Sequence, residues 1–190
     1  AIISTGDEIV SCGEEPKAGQ IRDINTYLLH ALIIESGAEP ICYGVVMDEY
    51  DKLKSTVSKA LEECDCILIS GGSSVGNKDQ TLKVLRSFEN SEVLAHGIAI
   101  KPGKPTIICM VHSKPVFGLP GHPLATAIIY KLIVESYINS IISFKSDGLY
   151  HITCKFAVNY HKSSGREEYI PVIVRDKGTH LVAVPIFTKS

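Results

Sequence analysis

Little in this sequence is extreme, and what it lacks narrows the field first. It has no surplus of either charge: 19 Lys and Arg stand against 21 Asp and Glu in 190 residues, a net charge of -2. The basic stripe of a general nucleic-acid binder is therefore missing. No apolar run approaches the ~20 residues that span a bilayer, and no charged-then-apolar leader opens the chain. A cytoplasmic protein with no membrane contact is expected. The six cysteines, at 12, 42, 64, 66, 109 and 154, form no CxxC pair, and Cys64-Asp65-Cys66 has no second pair to complete a zinc site. Buried or inert thiols are expected instead. There is no internal repeat and no low-complexity tract. Ala1 opens directly on an apolar stretch without an initiator Met, as a piece cut from a longer chain would.

What is present suits an ordinary globular fold. With 45% hydrophobic and 21% charged residues, the chain can bury a core, and its length predicts one domain or one plus a fragment. The chain is organised around Ile67-Leu-Ile-Ser-Gly-Gly-Ser-Ser-Val-Gly76. A buried strand runs there into glycines and hydroxyls, then into a helix predicted over 80–87. Glycines let a backbone approach a ligand, and successive N–H groups at a helix start attract anions. Gly71 and Gly76 have the spacing of the phosphate loop of nucleotide triphosphatases, but Asn77 stands where its Lys belongs, so that reading fails. The stretch reads as an anion cradle or as a structural Gly-rich turn.

Three strand patterns, over 2–4, 41–46 and 67–70, alternate with two helical ones. The first helix is capped by Asp23, has Ile24, Leu28 and Leu32 recurring, and ends before Gly37. The second starts at Asp51 and carries Leu53, Val57, Ala60 and Leu61. Such alternation predicts an α/β fold with a mostly parallel sheet and helices on its faces. Parallel strands deliver their carboxyl ends to one edge. Asp7, Glu8, Asp48 and the segment 71–79 each follow a strand and should converge on the crevice there. Each acid taken singly is equally a turn residue or a cap. A strand over 93–100 leads to Lys101-Pro-Gly-Lys-Pro105, a stiffened turn that holds two ammonium groups and suits a di-anion. A hairpin over 106–118 follows, then Leu119-Pro-Gly-His-Pro123 and an apolar helix over 124–140. The start of that helix is either plain capping or a second phosphate-facing N-terminus. From about residue 149, strands over 152–158, 169–174 and 181–186 predict a small antiparallel β module, too small to bury a core alone.

Taken together, Ser4-Thr-Gly-Asp-Glu8, Ile21-Arg-Asp-Ile-Asn25, Ser70-Gly-Gly-Ser-Ser-Val-Gly76 with Asp79, Ala99-Ile-Lys-Pro-Gly-Lys-Pro105 and Gly118-Leu-Pro-Gly-His-Pro123 resemble the molybdopterin molybdenumtransferase family of molybdenum-cofactor biosynthesis. Residues 149–190, with Ser164-Gly-Arg-Glu-Glu168, resemble the start of that family's C-terminal β-barrel. The resemblance implies a three-layer molybdopterin-binding domain over 1–146 and a truncated, partial antiparallel β-barrel domain over 147–190. It implies an enzyme that inserts molybdate into the dithiolate of adenylylated molybdopterin and releases AMP, with Mg²⁺ as cofactor. Glu8, Asp48 and Asp79 would hold the metal. Asp48, Asp79, Lys101 and Lys104 would be catalytic, and Asp23 could assist. Thr5, Gly71, Gly72, Ser73, Ser74, Pro120, Gly121 and His122 would bind the pterin phosphate end.

A homodimer is implied, as is contact with the molybdopterin adenylyltransferase. The sister adenylyltransferase family more often reads Gly-Gly-Thr-Gly, so the Gly-Gly-Ser-Ser-Val-Gly here favours insertion. The rival readings are that adenylyltransferase and a non-catalytic molybdopterin-binding or scaffold module. Two departures from the family are His122, where Asn is commoner, and Ile170-Pro171, where an Arg is frequent. The second leaves any barrel contribution to catalysis open.

Overall fold

The computed structural model describes residues 1–71, 78–142, 150–161 and 165–186, without the side chains of Lys78 and Asp79. Gly72, Ser73 and Ser74 of the predicted cradle, the Asp79 side chain, Ser164 and the predicted boundary between residues 146 and 147 lie outside the described residues.

In chain order the first half comprises β1 (Ile2–Thr5), β2 (Ile9–Val10), β3 (Ile21–Arg22), α1 (Asn25–Glu35), β4 (Cys42–Val46), α2 (Tyr50–Glu63), β5 (Ile67–Gly71) and α3 (Lys78–Arg86). It continues through β6 (Ser91–His96), β7 (Ile100–Lys101), β8 (Ile107–Val111), β9 (Lys114–Leu119), α4 (Pro123–Ile129), a π-helical stretch Tyr130–Val134, α5 (Glu135–Ile141), β10 (Lys155–Phe156), β11 (Glu167–Glu168), β12 (Val172–Asp176) and β13 (Leu181–Pro185). Six strands form one sheet in the order β4-β1-β5-β9-β8-β6. The first four run parallel, and β8 and β6 extend the sheet antiparallel.

Side chains alternate across the pleat, so each central strand feeds two cores. Ile3, Ile67, Ile69, Val116 and Ile107 pack under α2 and α3 with Leu53, Val57, Leu61 and Leu85. Ile2, Leu68, Phe117 and Leu119 pack under α1 and the last long helix with Leu29, Ile33, Ile129 and Val134. The result is the expected three-layer sandwich. The chain leaves β1 through α1 for β4 on one side of it and leaves the adjacent β5 through α3 for β6 at the other edge, so connections diverge between β1 and β5. This is the switch point at which open α/β sheets bind ligands.

Four local expectations need correction. The buried face of α1 is Asn25, Leu29 and Ile33, one residue out of phase with the expected Ile24, Leu28 and Leu32, and Ile24 is 58% exposed. That helix is apolar on every side, so periodicity selects no unique face; Tyr27 (61%) and Ile34 (55%) are exposed as well. The strand expected over 93–100 breaks at Gly97, where φ is +86°, leaving β6 and the short β7. The last helix runs 19 residues from Pro123 to Ile141 and is long and apolar enough to cross a bilayer, which the sequence was not expected to provide. Here its inner face, Ala125, Ile129, Tyr130, Val134 and Ile138, is buried, most of it against the sheet. Within the π stretch, the Tyr130 hydroxyl donates to Leu32 O at 3.0 Å and closes the end of α1.

The C-terminal strands form the fourth correction. They order β10-β13-β12, and although β12 and β13 are antiparallel, β10 runs parallel to β13. Residues 169–171 lie outside any strand. Just before them, Glu167–Glu168 pair with β7 of the first domain.

Candidate functional site

Strand register puts several of the described candidate residues at one edge of the sheet. Thr5 lies opposite both Val46 and Gly71, and Ser70 lies opposite Leu119. The four parallel strands therefore end level, so Asp7 and Glu8, Asp48, and Pro120 to His122 follow three of them at one rim, where Gly71 ends the fourth. Ile107 is opposite Gly118, so the lysine turn enters β8 at the same rim.

The acids are close neighbours. The Asp48 backbone N–H donates to Asp7 Oδ1 at 3.2 Å. Asp48 Oδ1 is buried and has no hydrogen-bond partner among the described residues. Burial first, then the charges of Asp7 and Glu8, push the Asp48 carboxyl above the usual carboxylate range. A Cβ on Gly6 would lie 3.0 Å from Glu8 Oε2, so the Glu8 carboxylate sits over that glycine. Thr5 Oγ1 is a second buried atom with no hydrogen-bond partner among the described residues. Gly71 is the close-approach residue: a Cβ there would come within 1.7 Å of Thr5 O, so no other residue fits against β1.

An unpaired buried carboxylate oxygen beside two more carboxylates is costly until a cation or donors arrive. Hard oxygen donors of this kind suit Mg²⁺, which takes one or two protein carboxylates and completes its shell with water and phosphate. The residues present thus fit the metal. Among the described residues, however, no group of three or more His, Cys, Asp and Glu side chains is placed to hold an ion. Asp7, which was not assigned a ligand role, is the acid that touches Asp48.

The start of α1 is tied to the rim by a chain of hydroxyls. Asp23 accepts the Thr26 N–H (3.1 Å) and the Thr26 hydroxyl (2.6 Å) on its two oxygens. Thr26 Oγ1 lies 3.0 Å from Ser4 Oγ, which lies 3.2 Å from Ser70 Oγ. Asp23 is therefore spent on capping, and the network fixes β1 and β5 just below Gly71. Asn25 was missed by sequence reasoning. Its Nδ2 donates to Gly121 O at 2.8 Å, and its Oδ1 is buried with no partner among the described residues. It closes the motif Ile21-Arg-Asp-Ile-Asn25 but was given no role there, and it stands in the first turn on what proves to be the buried face.

His122 is exposed and extended at the N-cap of α4, with no side-chain cap bond, and Thr126 Oγ1 donates to Pro120 O. In the lysine turn, Gly103 backs onto Ile129, since a Cβ would lie 2.5 Å from its Cδ1, and Thr106 Oγ1 donates to Gly103 O at 2.7 Å. Lys104 is exposed. Lys101 is held by a partner outside the turn: its Nζ meets Glu168 Oε1 at 3.0 Å.

Comparison with known proteins decides the family. The sequence family described as "Probable molybdopterin binding domain" matches residues 1–140. The chain belongs to the molybdopterin-binding domain family. Molybdopterin molybdenumtransferase of Nostoc sp. is 37% identical over 144 residues, covering 74% of this chain and 33% of that protein. The same-named protein of Bacillus subtilis is 29% identical over 188 residues, 97% of this chain and 43% of its own. A structure of a molybdopterin biosynthesis MoeA protein from Pyrococcus horikoshii superposes with a TM-score of 0.77 at 37% identity, covering 98% of this chain and 44% of that one. The chain therefore spans less than half the length of each of these three proteins.

Proposed function

We propose that this chain is the molybdopterin-binding part of a molybdopterin molybdenumtransferase, which inserts molybdate into the dithiolate of adenylylated molybdopterin and releases AMP. The observation that carries the reading is the meeting of Asp48, with its unpartnered buried oxygen, Asp7 and Glu8 at the rim where Gly71 ends β5, in a chain of this family. The names of its Nostoc and Bacillus relatives support insertion over adenylylation.

In this reading Thr5, Gly71, Gly72, Ser73 and Ser74 donate hydrogen bonds to the terminal phosphate or the pyrophosphate, with Pro120, Gly121 and His122 closing the far side. Glu8, Asp48 and Asp79 would hold or orient Mg²⁺. When bound, the metal supplies positive charge to the pyrophosphate oxygens and polarises water for hydrolysis. Lys101 and Lys104 neutralise charge on molybdate and on the leaving phosphate.

The full-length protein acts as a homodimer in this proposal. The exposed apolar stripe Ile24, Tyr27 and Ile34 on α1 supports it, and sedimentation of Tyr27→Glu checks it. The substrate is supplied by the adenylyltransferase, and a cytoplasmic setting suits six free thiols. The deciding experiment is AMP release from adenylylated molybdopterin by full-length enzyme carrying Asp48→Asn. Release is expected to fall by about 10²-fold or more; unchanged release removes Asp48 from the mechanism. Formation of the adenylylated product from ATP and molybdopterin would instead mark an adenylyltransferase.

A further inference from the structure

The lysine turn and the C-terminal segment meet in one place. Glu167–Glu168 lie parallel to Ile100–Lys101, with Glu167 N–H donating to Ala99 O and Tyr169 N–H to Lys101 O, both at 2.8 Å. Backbone register thus delivers Glu168 to Lys101, 67 residues away in sequence. Lys101 Nζ donates to Glu168 Oε1 at 3.0 Å, and the Tyr160 hydroxyl donates to Oε2 at 2.9 Å. The Glu168 side chain is 5% exposed, whereas that of Lys101 is 52% exposed.

The asymmetry matters. A carboxylate enclosed this far is held in place by its donors, among them Lys101 and Tyr160, because losing one weakens the support of a buried charge. The ammonium is the outward member of the pair. It has three donors, and the bond to Glu168 uses one, which leaves N–H groups for a ligand. A free lysine must give up the rotamer freedom of a four-carbon stem when it binds an anion; one already tethered at its tip has less to lose. The carboxylate also offsets the lysine charge, so attraction at this point depends on directed hydrogen bonds more than on long-range charge.

We propose that Glu168 is a positioning residue. It holds the Lys101 ammonium in the orientation that receives a tetrahedral oxyanion, so the C-terminal segment shapes the site of the first domain without touching the ligand. The inference rests on reading Lys101 as an anion-binding residue. A mere docking clamp between the two parts would look the same at rest, but it would not couple to ligand affinity.

The test uses the 190-residue chain, inorganic molybdate as probe and sulfate as control, read by calorimetry and by the ¹⁵N signal of the Lys101 ammonium. Lys101→Ala and Glu168→Ala are each expected to weaken molybdate binding about tenfold, and the double substitution to weaken it no further. Glu168→Gln, which keeps the size and one acceptor for the ammonium, is expected to fall between. Wild-type affinity in Glu168→Ala beside a weakened Lys101→Ala overturns the proposal and leaves the proposed function standing, as does strict additivity in the double variant. No effect from either single substitution instead removes Lys101 from the anion site, and both readings of it fall. If Glu168→Ala loosens the C-terminal strands, Glu168→Gln decides: weaker molybdate binding at an unchanged melting temperature supports positioning, and unchanged binding overturns it.

Discussion

The first domain and the C-terminal segment are both built on strands, yet they stand on different footings. In β1, β5 and β9 no residue is exposed, whereas β12 is exposed at every position. The central strands are covered on two faces by helices, so their pairing comes with apolar burial. Of the described C-terminal residues only Ala183 is buried, while Ile152, Phe156, Ile173 and Ile186 face outward. Three short strands with one bare face do not make an independent core. The sheet of the first domain is consequently held by its own packing, and the second region gains a fixed address where β11 joins β7 and Glu168 reaches Lys101.

The sharpest way to break this contrast is at the tightest point of the first domain. Gly71→Ala places a methyl group on the Thr5 carbonyl, and separating β1 from β5 to make room should cost about 3–5 kcal/mol, measured by urea unfolding. A cost near that of an exposed Gly→Ala would mean that the two strands tolerate separation. Ile69→Ala, in the core under α2, should cost about 2–5 kcal/mol. If it costs much less, the helices do not cover the sheet as described.

Asp48→Asn tests function against stability within the rim. Because burial, Asp7 and Glu8 raise its pKa in the fold, the proton is held more tightly folded than unfolded. Stability from this group is present below the unfolded carboxylate pKa, about 3.9, and is lost as pH rises through the folded value. The Asn variant should therefore melt at higher temperature than wild type at pH 7, with the advantage fading as the solution is acidified. A lower melting temperature at pH 7 would show that the carboxylate anchors the fold. The smallest effect is expected in the second region: Ile173→Ala in β12 should change stability by no more than about 0.5 kcal/mol. A larger loss would show that something covers that face.

Much of the sandwich was legible because periodicity reports burial directly. Leu53, Val57, Ala60 and Leu61 recur at helical spacing and are the residues buried in α2. The apolar run of β5 is enclosed on both faces, and a run that meets helices on two sides cannot read otherwise. Periodicity failed where every side was apolar, as in α1, where Asp23 capping Thr26 and Asn25 holding Gly121 accompany a buried face that begins one residue later. It failed again after residue 150, because exposed strands carry no burial pattern to read and their partners are chosen at a distance.

By itself the sequence determined the alternation of strand and helix, the glycine-bearing turn after β5, the acids after each strand and the family motifs, all of which are properties of short windows. Only the tertiary structure decided that Asp7 receives the Asp48 N–H, that Asn25 ties to Gly121 and that Glu168 takes hold of Lys101, pairs separated by 41, 96 and 67 positions. The physical reason is that such contacts are set by the register in which strands pair. That register is the compromise of the whole core, so no window shorter than the domain contains it.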